Sequence, residues 1–243
     1  MSELFVVKGI QKYEDMAGAI VDAMTDPLPI EWQTVIKSLE AGEVPESFPD
    51  AIAMDDYGNI FSDKPIDFGA TSRTLRIKGY INDLGMFGYY SKKGAEYLAN
   101  RYKGKTIIDP MAGAGWFAKA MREQGFKVIA GDLNADKIRT VTDVIPADCE
   151  ALVKEFGEEA DVLFFNWAMF DDPSDLRAAL EWGGDKPIVV YGELGGCCNS
   201  DEFYDAFTIT EELSDFPDLN CAVLRRLRFC EGTIATNNGE FEA

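Results

Sequence analysis

Residues 106–135 constrain the fold of this chain more than any other segment, because they fix the order of two strands, a turn and a helix. The segment contains an apolar run, an acid, a turn of small residues, a helical stretch, a second apolar run and a second acid: Thr106-Ile107-Ile108, Asp109, Ala112-Gly113-Ala114-Gly115, Trp116–Gln124, Val128–Gly131 and Asp132. Glycines let the backbone approach a ligand closely, and a carboxylate about 20 residues further on can bind ribose hydroxyls. The segment therefore predicts a nucleoside pocket.

The rest of the chain continues the alternation of strand and helix. Strands are predicted at 105–109, 127–131, 161–166 and 187–192, and helices at 91–103, 115–124, 134–142, 147–156 and 174–182. Two further strands, 203–209 and 220–229, have no convincing helix between them and are expected to pair antiparallel at the sheet edge. The predicted fold class is α/β, with a doubly wound, mostly parallel sheet and an antiparallel edge pair at the C-terminus.

The first 70 residues predict a mainly helical extension to this domain. Residues 10–42 show helical spacing of apolar positions, interrupted by Pro27 and Pro29. Residues 43–70 are rich in Pro, Gly and Asp, which predicts an irregular loop. We therefore divide the chain into an extension, 1–70, and a Rossmann-like domain, 71–243.

Composition narrows the chemistry available. The 243 residues include no histidine, which removes the commonest general base and metal ligand, so no metal site is expected. The five cysteines form no CxxC pair and predict reduced thiols rather than a disulfide scaffold. No apolar run is long enough to span a bilayer and the N-terminus does not resemble a signal peptide, so a cytoplasmic location is predicted.

Charge is unevenly distributed along the chain. The net charge is −20, yet residues 71–105 hold 8 Lys/Arg against 2 Asp/Glu. This basic segment is either a solvated helix face or a landing site for an anionic substrate. Nucleic acid is therefore a possible partner through residues 71–105, although the net charge disfavours it. No membrane partner is expected.

The residues at the turn favour one nucleoside over others. Asp109 precedes the turn and would repel a dinucleotide pyrophosphate, whereas it suits a cationic ligand such as S-adenosylmethionine. Asp132 would bind the ribose hydroxyls. Asp148 has two open interpretations: it accepts a hydrogen bond from the adenine amino group, or it complements the dipole of a helix N-terminus.

The stretch Ile107–Gly115, followed by Asp132, resembles the class I, Rossmann-like S-adenosylmethionine-dependent methyltransferases over roughly residues 86–230. The resemblance implies that Asp109, Gly113 and Gly115 frame the methionine part of the cofactor, that Asp132 holds the ribose and that Asp148 lies near adenine. Met111 stands where the family often has a glycine, and its side chain narrows the turn.

The segment Phe165–Asp171 is similar to the amino-methylating branch of that family, whose members carry Asp/Asn/Ser-Pro-Pro-aromatic after the fourth strand. The resemblance implies that Asn166 accepts hydrogen bonds from a target amine and that the Phe170 ring stacks on the base. Ala168-Met169 replaces the paired prolines. The alternative is a strand end with buried aromatic residues under a loop.

Two further positions are candidates. Glu193, in Tyr-Gly-Glu-Leu-Gly-Gly-Cys-Cys, is the best-placed general base in a chain without histidine, or else an exposed loop acid. Tyr89 precedes the first helix of the domain and would reach the cofactor or the acceptor, or else pack in an entry loop.

The sequence favours an S-adenosylmethionine-dependent methyltransferase whose acceptor is unknown, with a nucleobase amine or other nitrogen preferred. The alternative is a non-catalytic S-adenosylmethionine-binding or protein-interaction module on the same fold. A third interpretation is a nicotinamide-dependent oxidoreductase, and Asp109 before the turn argues against it.

Overall fold

A seven-stranded sheet organises the protein, seen in a computed structural model that describes residues 13–49, 68–220 and 227–235. The strand order is β3-β2-β1-β4-β5-β7-β6. The strands are β1 (Ile107–Asp109), β2 (Val128–Asp132), β3 (Ile145–Pro146), β4 (Val162–Asn166), β5 (Ile188–Gly192), β6 (Phe207–Glu212) and β7 (Arg228–Ile234). The predicted fold class is confirmed.

The central strands form the parallel part of the sheet. β1 pairs with β2 and β4, and β4 pairs with β5, all in parallel. Nearly every residue of β1, β2, β4 and β5 is buried. A parallel sheet covered on both faces needs apolar residues on both, which is why these strands read as continuous apolar runs. The four predicted strands are confirmed, each within two residues of its bounds.

The C-terminal strands pair antiparallel, as predicted, but their bounds differ. β7 lies between β5 and β6 and pairs antiparallel with both. The prediction of a strand from residue 203 is wrong at its start, because Asp201–Ala206 form a helix, α8. Ser200 caps this helix by accepting a hydrogen bond from the Phe203 amide at 3.1 Å. Much of the other predicted strand, 220–229, lies outside the described residues.

Helices cover both faces of the sheet. They are α1 (Tyr13–Thr25), α2 (Ile30–Glu40), α3 (Phe68–Asp83), α4 (Lys92–Arg101), α5 (Trp116–Glu123), α6 (Cys149–Phe156) and α7 (Ser174–Trp182). Ser91 caps α4 by accepting a hydrogen bond from the Gly94 amide at 3.1 Å.

The predicted helix at 134–142 is wrong. Turns occupy this segment, and the Val141 amide donates to the Ala114 carbonyl at 2.9 Å. This hydrogen bond holds the segment against the turn between β1 and α5, and the segment does not form a helix. The β-branched run Thr140-Val141-Thr142 also has low helix propensity.

The second N-terminal helix, α2, shares the core of the sheet domain. Trp32, Val35 and Leu39 of α2 belong to the same apolar cluster as Phe117 of α5 and Phe164 of β4. Helices were predicted within 10–42, and α1 and α2 confirm them on either side of the prolines. Of the predicted irregular loop, residues 50–67 lie outside the described residues.

The division at residue 70 stays a prediction. α3 begins at Phe68, so the proposed boundary falls within its first turn. Across the described ranges, no helix is both long and apolar enough to cross a bilayer. The cytoplasmic location also stays a prediction.

Candidate cofactor and acceptor site

A cavity of about 580 Å³ opens at the carboxyl ends of β1, β2 and β4. This is the place where open parallel sheets bind ligands, and the volume suits a nucleoside-sized molecule. Six of the residues singled out from the sequence line it: Met111, Gly113, Asp132, Asp148, Asn166 and Phe170. Neighbouring strands lie about 4.8 Å apart, so Asp132 and Asn166, on the two strands that flank β1, stand on opposite sides of the glycine turn.

The two glycines of the turn have different roles. Gly113 has φ +53°, and a Cβ placed there would meet nothing within 4 Å, so the backbone is open to the cavity. Gly115 has φ +85°, and its Cβ would lie 2.8 Å from Val144 Cγ2 and 2.9 Å from Thr142 Cγ2. Gly113 therefore faces the ligand space, whereas Gly115 lets the segment after β2 pack on the turn.

Asp132 is held rigidly at the end of β2. Its Oδ2 accepts a hydrogen bond from the Gly113 amide at 2.9 Å, and its Oδ1 accepts one from the Asn134 amide at 2.8 Å. Each carboxylate oxygen has a second lone pair. A partly exposed carboxylate fixed in this way can accept hydrogen bonds from two vicinal hydroxyls without losing its backbone donors.

Asp148 caps a helix and also lines the cavity. Its Oδ1 caps α6, accepting from the amides of Glu150 at 3.0 Å and Ala151 at 3.3 Å. The residue also lines the cavity. Since Oδ2 accepts no hydrogen bond from the described residues, the carboxylate can cap the helix and still meet a ligand amino group.

Asn166 ends β4 and makes a partly buried contact. Its Oδ1 accepts a hydrogen bond from the Tyr90 hydroxyl at 2.9 Å. Burial raises the pKa of Tyr90 well above its usual range, so the phenol stays protonated and acts as the donor. Trp167, the next residue, has φ +58°, a left-handed conformation that costs energy for a side chain of this size.

Apolar side chains form an exposed rim around the cavity. Leu133, Met169, Phe170 and Phe87 are between 46% and 63% exposed, and all four line it. The Phe87 ring lies 6.4 Å from that of Trp167. Large apolar groups left in water beside a cavity are typical of a surface that a ligand covers.

Asp109 does not line the cavity. It is fully buried, and no described group meets hydrogen-bond geometry with either of its carboxyl oxygens. Burial raises its pKa well above the usual range, an effect that the Met111 amide partly offsets and the Asp132 charge increases. The predicted contact of Asp109 with the methionine part of the cofactor stays an untested prediction.

Tyr89 also lies away from the cavity. It is fully buried, its ring packs edge-on against Phe48 at 5.5 Å, and its carbonyl accepts from the Tyr191 hydroxyl at 3.3 Å. These contacts match the packing interpretation rather than the ligand-binding one. The ligand role of Tyr89 stays an untested prediction.

Glu193 lies in the loop after β5 and is not among the lining residues. Its Oε2 accepts from the Cys197 thiol at 3.0 Å, and its amide donates to Cys198 Sγ at 3.2 Å. Burial raises the pKa of Cys198 to about 12, and burial and Glu193 raise that of Cys197. Both cysteines are therefore neutral thiols at pH 7, although Cys197 does line the cavity.

Sequence reasoning missed the wall contributed by the segment between α3 and α4. Gly85 and Phe87 line the cavity. The sequence does contain a feature that could have indicated this wall, because two glycines closely flank an aromatic residue in Gly85-Met86-Phe87-Gly88. Leu133 was also missed, although it is an apolar residue directly after the strand-end acid Asp132.

A smaller cavity of about 330 Å³ adjoins the first. Both cavities are lined by Gly85, Phe87 and Gly113, so the backbone of Gly113 borders each of them. The lining of the smaller cavity includes Arg139. The charged residues that line the larger cavity, in contrast, are all acids: Asp132, Asp148 and Asp172. The larger cavity therefore suits a cationic or neutral ligand better than a phosphate.

No protein-family model and no curated protein matches the chain. Solved structures that it resembles include S-adenosylmethionine-dependent methyltransferases. A TehB-like S-adenosylmethionine-dependent methyltransferase from Corynebacterium glutamicum is 15% identical over 68% of this chain and 99% of that one, with a TM-score of 0.42. An rRNA methylase from Streptococcus thermophilus is 14% identical over 58% and 94%, with a TM-score of 0.36. TehB from Haemophilus influenzae is 10% identical over 65% and 66%, with a TM-score of 0.39. Likeness at these values carries no information on substrate or reaction.

Proposed function

We propose that this protein binds S-adenosylmethionine in the larger cavity and transfers its methyl group to an acceptor held at the end of β4. One observation carries the proposal: an open glycine, Gly113, donates its amide to Asp132 between two parallel strand ends, beside a cavity whose charged walls are all acidic. This arrangement suits a nucleoside that carries positive charge and no phosphate.

The residues present fit the cofactor. Asp132 would accept from the ribose hydroxyls and Asp148 from the adenine amino group, with Leu133 covering the base. Asn166, at the end of β4 on the other side of β1, lines the same cavity and would hold the acceptor. Acidic walls favour a sulfonium and an ammonium group.

When bound, S-adenosylmethionine supplies a methyl group on cationic sulfur: the acceptor lone pair bonds to the methyl carbon as the C–S bond breaks, and that electron pair stays on sulfur as a neutral thioether. Because the cofactor is already activated, this chain mainly has to orient the acceptor and exclude water. Asn166 and the aromatic rim would perform both tasks. The sequence favours a nitrogen acceptor, through the position of Asn166.

Isothermal titration calorimetry with S-adenosylmethionine and its demethylated product tests cofactor binding. We expect saturable heat with both, and the substitution Asp132→Asn should weaken binding about tenfold or more, because a carboxylate accepts hydrogen bonds more strongly than an amide. Asp136→Asn is the matched control, since this nearby acid is exposed and lines neither cavity. Absence of heat at millimolar ligand would overturn the proposal, and equal affinity in the two variants would remove Asp132 from the site.

The non-catalytic alternative predicts the same binding without turnover. A transfer assay distinguishes the two alternatives. The purified protein is incubated with methyl-labelled S-adenosylmethionine and with pools of nucleic acid, protein and small molecules. Label incorporated into any pool supports transfer, whereas binding with no incorporation supports a module that only binds the cofactor.

A further inference from the structure

The amide oxygen of Asn166 contacts Tyr90 and Gly88, neither of which lines the cavity. The Tyr90 hydroxyl, which is fully buried, donates to Oδ1 at 2.9 Å. Tyr90 is in turn enclosed by the rings of Phe117 at 5.0 Å and Tyr191 at 5.3 Å. A donor enclosed by packed rings cannot follow the amide if it turns.

Gly88 selects the oxygen over the nitrogen at this position. A Cβ on Gly88 would lie 2.1 Å from Asn166 Oδ1, so the Cα–H bond that takes its place points at that oxygen. Such Cα–H···O contacts are weakly attractive. If the amide were reversed, the Nδ2 hydrogens would meet the Gly88 hydrogen head-on, which is repulsive.

The other half of the amide is therefore left for the cavity, which Asn166 lines. Among the described residues, none accepts a hydrogen bond from Nδ2, and this nitrogen is not among the buried unpaired atoms. Nδ2 carries two hydrogens and has no lone pair to offer. A side chain that presents only donors cannot hold an amine through its N–H groups.

The neighbouring rings indicate the shape of what Nδ2 meets. Phe87 and Trp167 lie 6.4 Å apart at an interplanar angle of 36°, and Phe170 is 53% exposed beside them. The Lys78 ammonium lies 6.0 Å from the Trp167 ring centroid. Aromatic walls of this kind favour a planar partner.

We propose that Tyr90 and Gly88 are positioning residues that make Asn166 present its Nδ2 hydrogens, and that the methyl acceptor is a planar ring bearing a carbonyl oxygen or an unprotonated ring nitrogen rather than an amino group. Nδ2 binds this oxygen or nitrogen, and the lone pair that attacks the methyl carbon belongs to a different atom of the same ring. This inference rests on the proposed function for the identity of the ligand, but the orientation of the amide can be measured without any cofactor.

Nuclear magnetic resonance of ¹⁵N-labelled protein tests the orientation. The Asn166 side-chain signals are assigned by their loss in Asn166→Asp, and their hydrogen exchange is compared with that of the exposed Asn134 side chain. We expect both Nδ2 hydrogens to exchange within about tenfold of that reference, since neither is bonded inside the protein. One hydrogen protected about 100-fold, and released by Tyr90→Phe, would overturn the inference.

Methyl transfer provides a second measurement. Labelled S-adenosylmethionine is offered with two pools of planar compounds matched in size. The first pool contains pyridones and nitrogen heterocycles without amino groups, and the second contains anilines. We expect label in the first pool, falling about tenfold in Asn166→Asp through loss of the donor, and falling also in Tyr90→Phe. Tyr97→Phe is the control, because its hydroxyl bonds Asp215 at the surface.

The outcomes separate the two proposals. Label confined to the anilines would overturn this inference and leave the proposed function standing. Failure of cofactor binding in calorimetry would remove the proposed function, whereas the exchange measurement would still decide the orientation of Asn166.

Discussion

Three aspartates show that surroundings, rather than residue type, decide what a carboxyl group can do in this protein. Asp132 is partly exposed, holds two backbone donors and lines the cavity. Asp109 is fully buried, and burial raises its pKa well above the usual range. Asp218 is also buried, yet it accepts hydrogen bonds from the amide of Ser91 at 2.9 Å and from its hydroxyl at 2.5 Å. Only Asp132 has the access that a ligand needs.

Asp218 should make the stability of the protein depend on pH. Burial raises its pKa from 3.8 to about 6, against the lowering effect of Ser91. The folded state therefore binds the proton more tightly than the unfolded state. The stability this proton contributes is fully present below about pH 4 and is lost as the pH rises through 6. Between pH 5 and pH 8 the expected loss is about 1–2 kcal/mol.

Urea unfolding of the wild-type protein and of Asp218→Asn across this pH range measures the effect. The asparagine side chain can keep both contacts with Ser91 but cannot titrate, so the variant should gain in relative stability as the pH rises. Asp205→Asn, which removes an exposed acid, is the control for the change in net charge. If the free energies of unfolding of wild type and Asp218→Asn changed in parallel with pH, burial of Asp218 would not raise its pKa in the folded state.

At the scale of the element, the β1–α5 turn separates ligand access from packing. Its two glycines have positive φ, yet only Gly115 is enclosed by the side chains of Thr142 and Val144. The segment that encloses it is the one predicted to be a helix, and its Val141 amide bonds back to the turn. The turn is thus supported from behind by one segment and open to the cavity in front.

Alanine at each glycine should separate these two roles. Gly113→Ala adds a methyl group in open space and places alanine in a left-handed conformation, which costs about 1–2 kcal/mol. Its main effect should be on binding of S-adenosylmethionine, weakened about tenfold or more as the methyl group enters the ligand space. Gly115→Ala has the same backbone cost and also overpacks Thr142 and Val144, adding about 1–3 kcal/mol.

Thermal unfolding and calorimetry on both variants give the two readouts. We expect Gly115→Ala to be the less stable variant and Gly113→Ala the weaker binder. A Gly113→Ala protein that binds the cofactor as tightly as wild type would place the ligand away from this turn.

The elements that sequence predicted correctly are those decided by local pattern. β5, and β4 up to its last residue Asn166, are apolar because they are buried on both faces, and α7 begins and ends where its spacing indicates. The helix prediction for residues 134–142 was wrong because the conformation of this segment depends on a contact with the Ala114 carbonyl, which is distant in sequence. The same applies to the site. The acids and glycines around β1 were visible locally, whereas the contact of Tyr90 with Asn166 joins residues 76 positions apart.

At the scale of the whole molecule, half of the cations in the basic segment have partners within their own chain. Lys92 pairs with Glu46, Arg101 with Glu211 and Glu231, and Lys105 with Asp161. Arg76 donates to the carbonyls of Ala23 at 3.2 Å and Asp26 at 2.7 Å, at the end of α1. Of the eight cations in residues 71–105, four thus have partners within the described protein. The others, which make no ion pair with described residues, are Arg73, Lys78, Lys93 and Lys103.

This distribution predicts weak binding to nucleic acid. Non-specific binding requires several cations in register with phosphates, and it commonly has dissociation constants of about 1–100 μM. Four scattered cations on a chain of net charge −20 should not reach that range. Fluorescence anisotropy with a labelled RNA duplex and a single strand in 100 mM salt measures it, and we expect no saturation at 100 μM protein.

The substitutions Lys93→Glu and Lys103→Glu make the measurement specific to the basic segment, and Lys137→Glu, in the turn region after β2, is the matched control outside it. Binding below about 10 μM that is lost in Lys93→Glu and Lys103→Glu but kept in Lys137→Glu would establish residues 71–105 as a nucleic-acid surface despite the net charge. Binding unaffected by all three would assign the contact to another surface. Because counterion release scales with the number of phosphates neutralised, the salt dependence would then report how many cations take part.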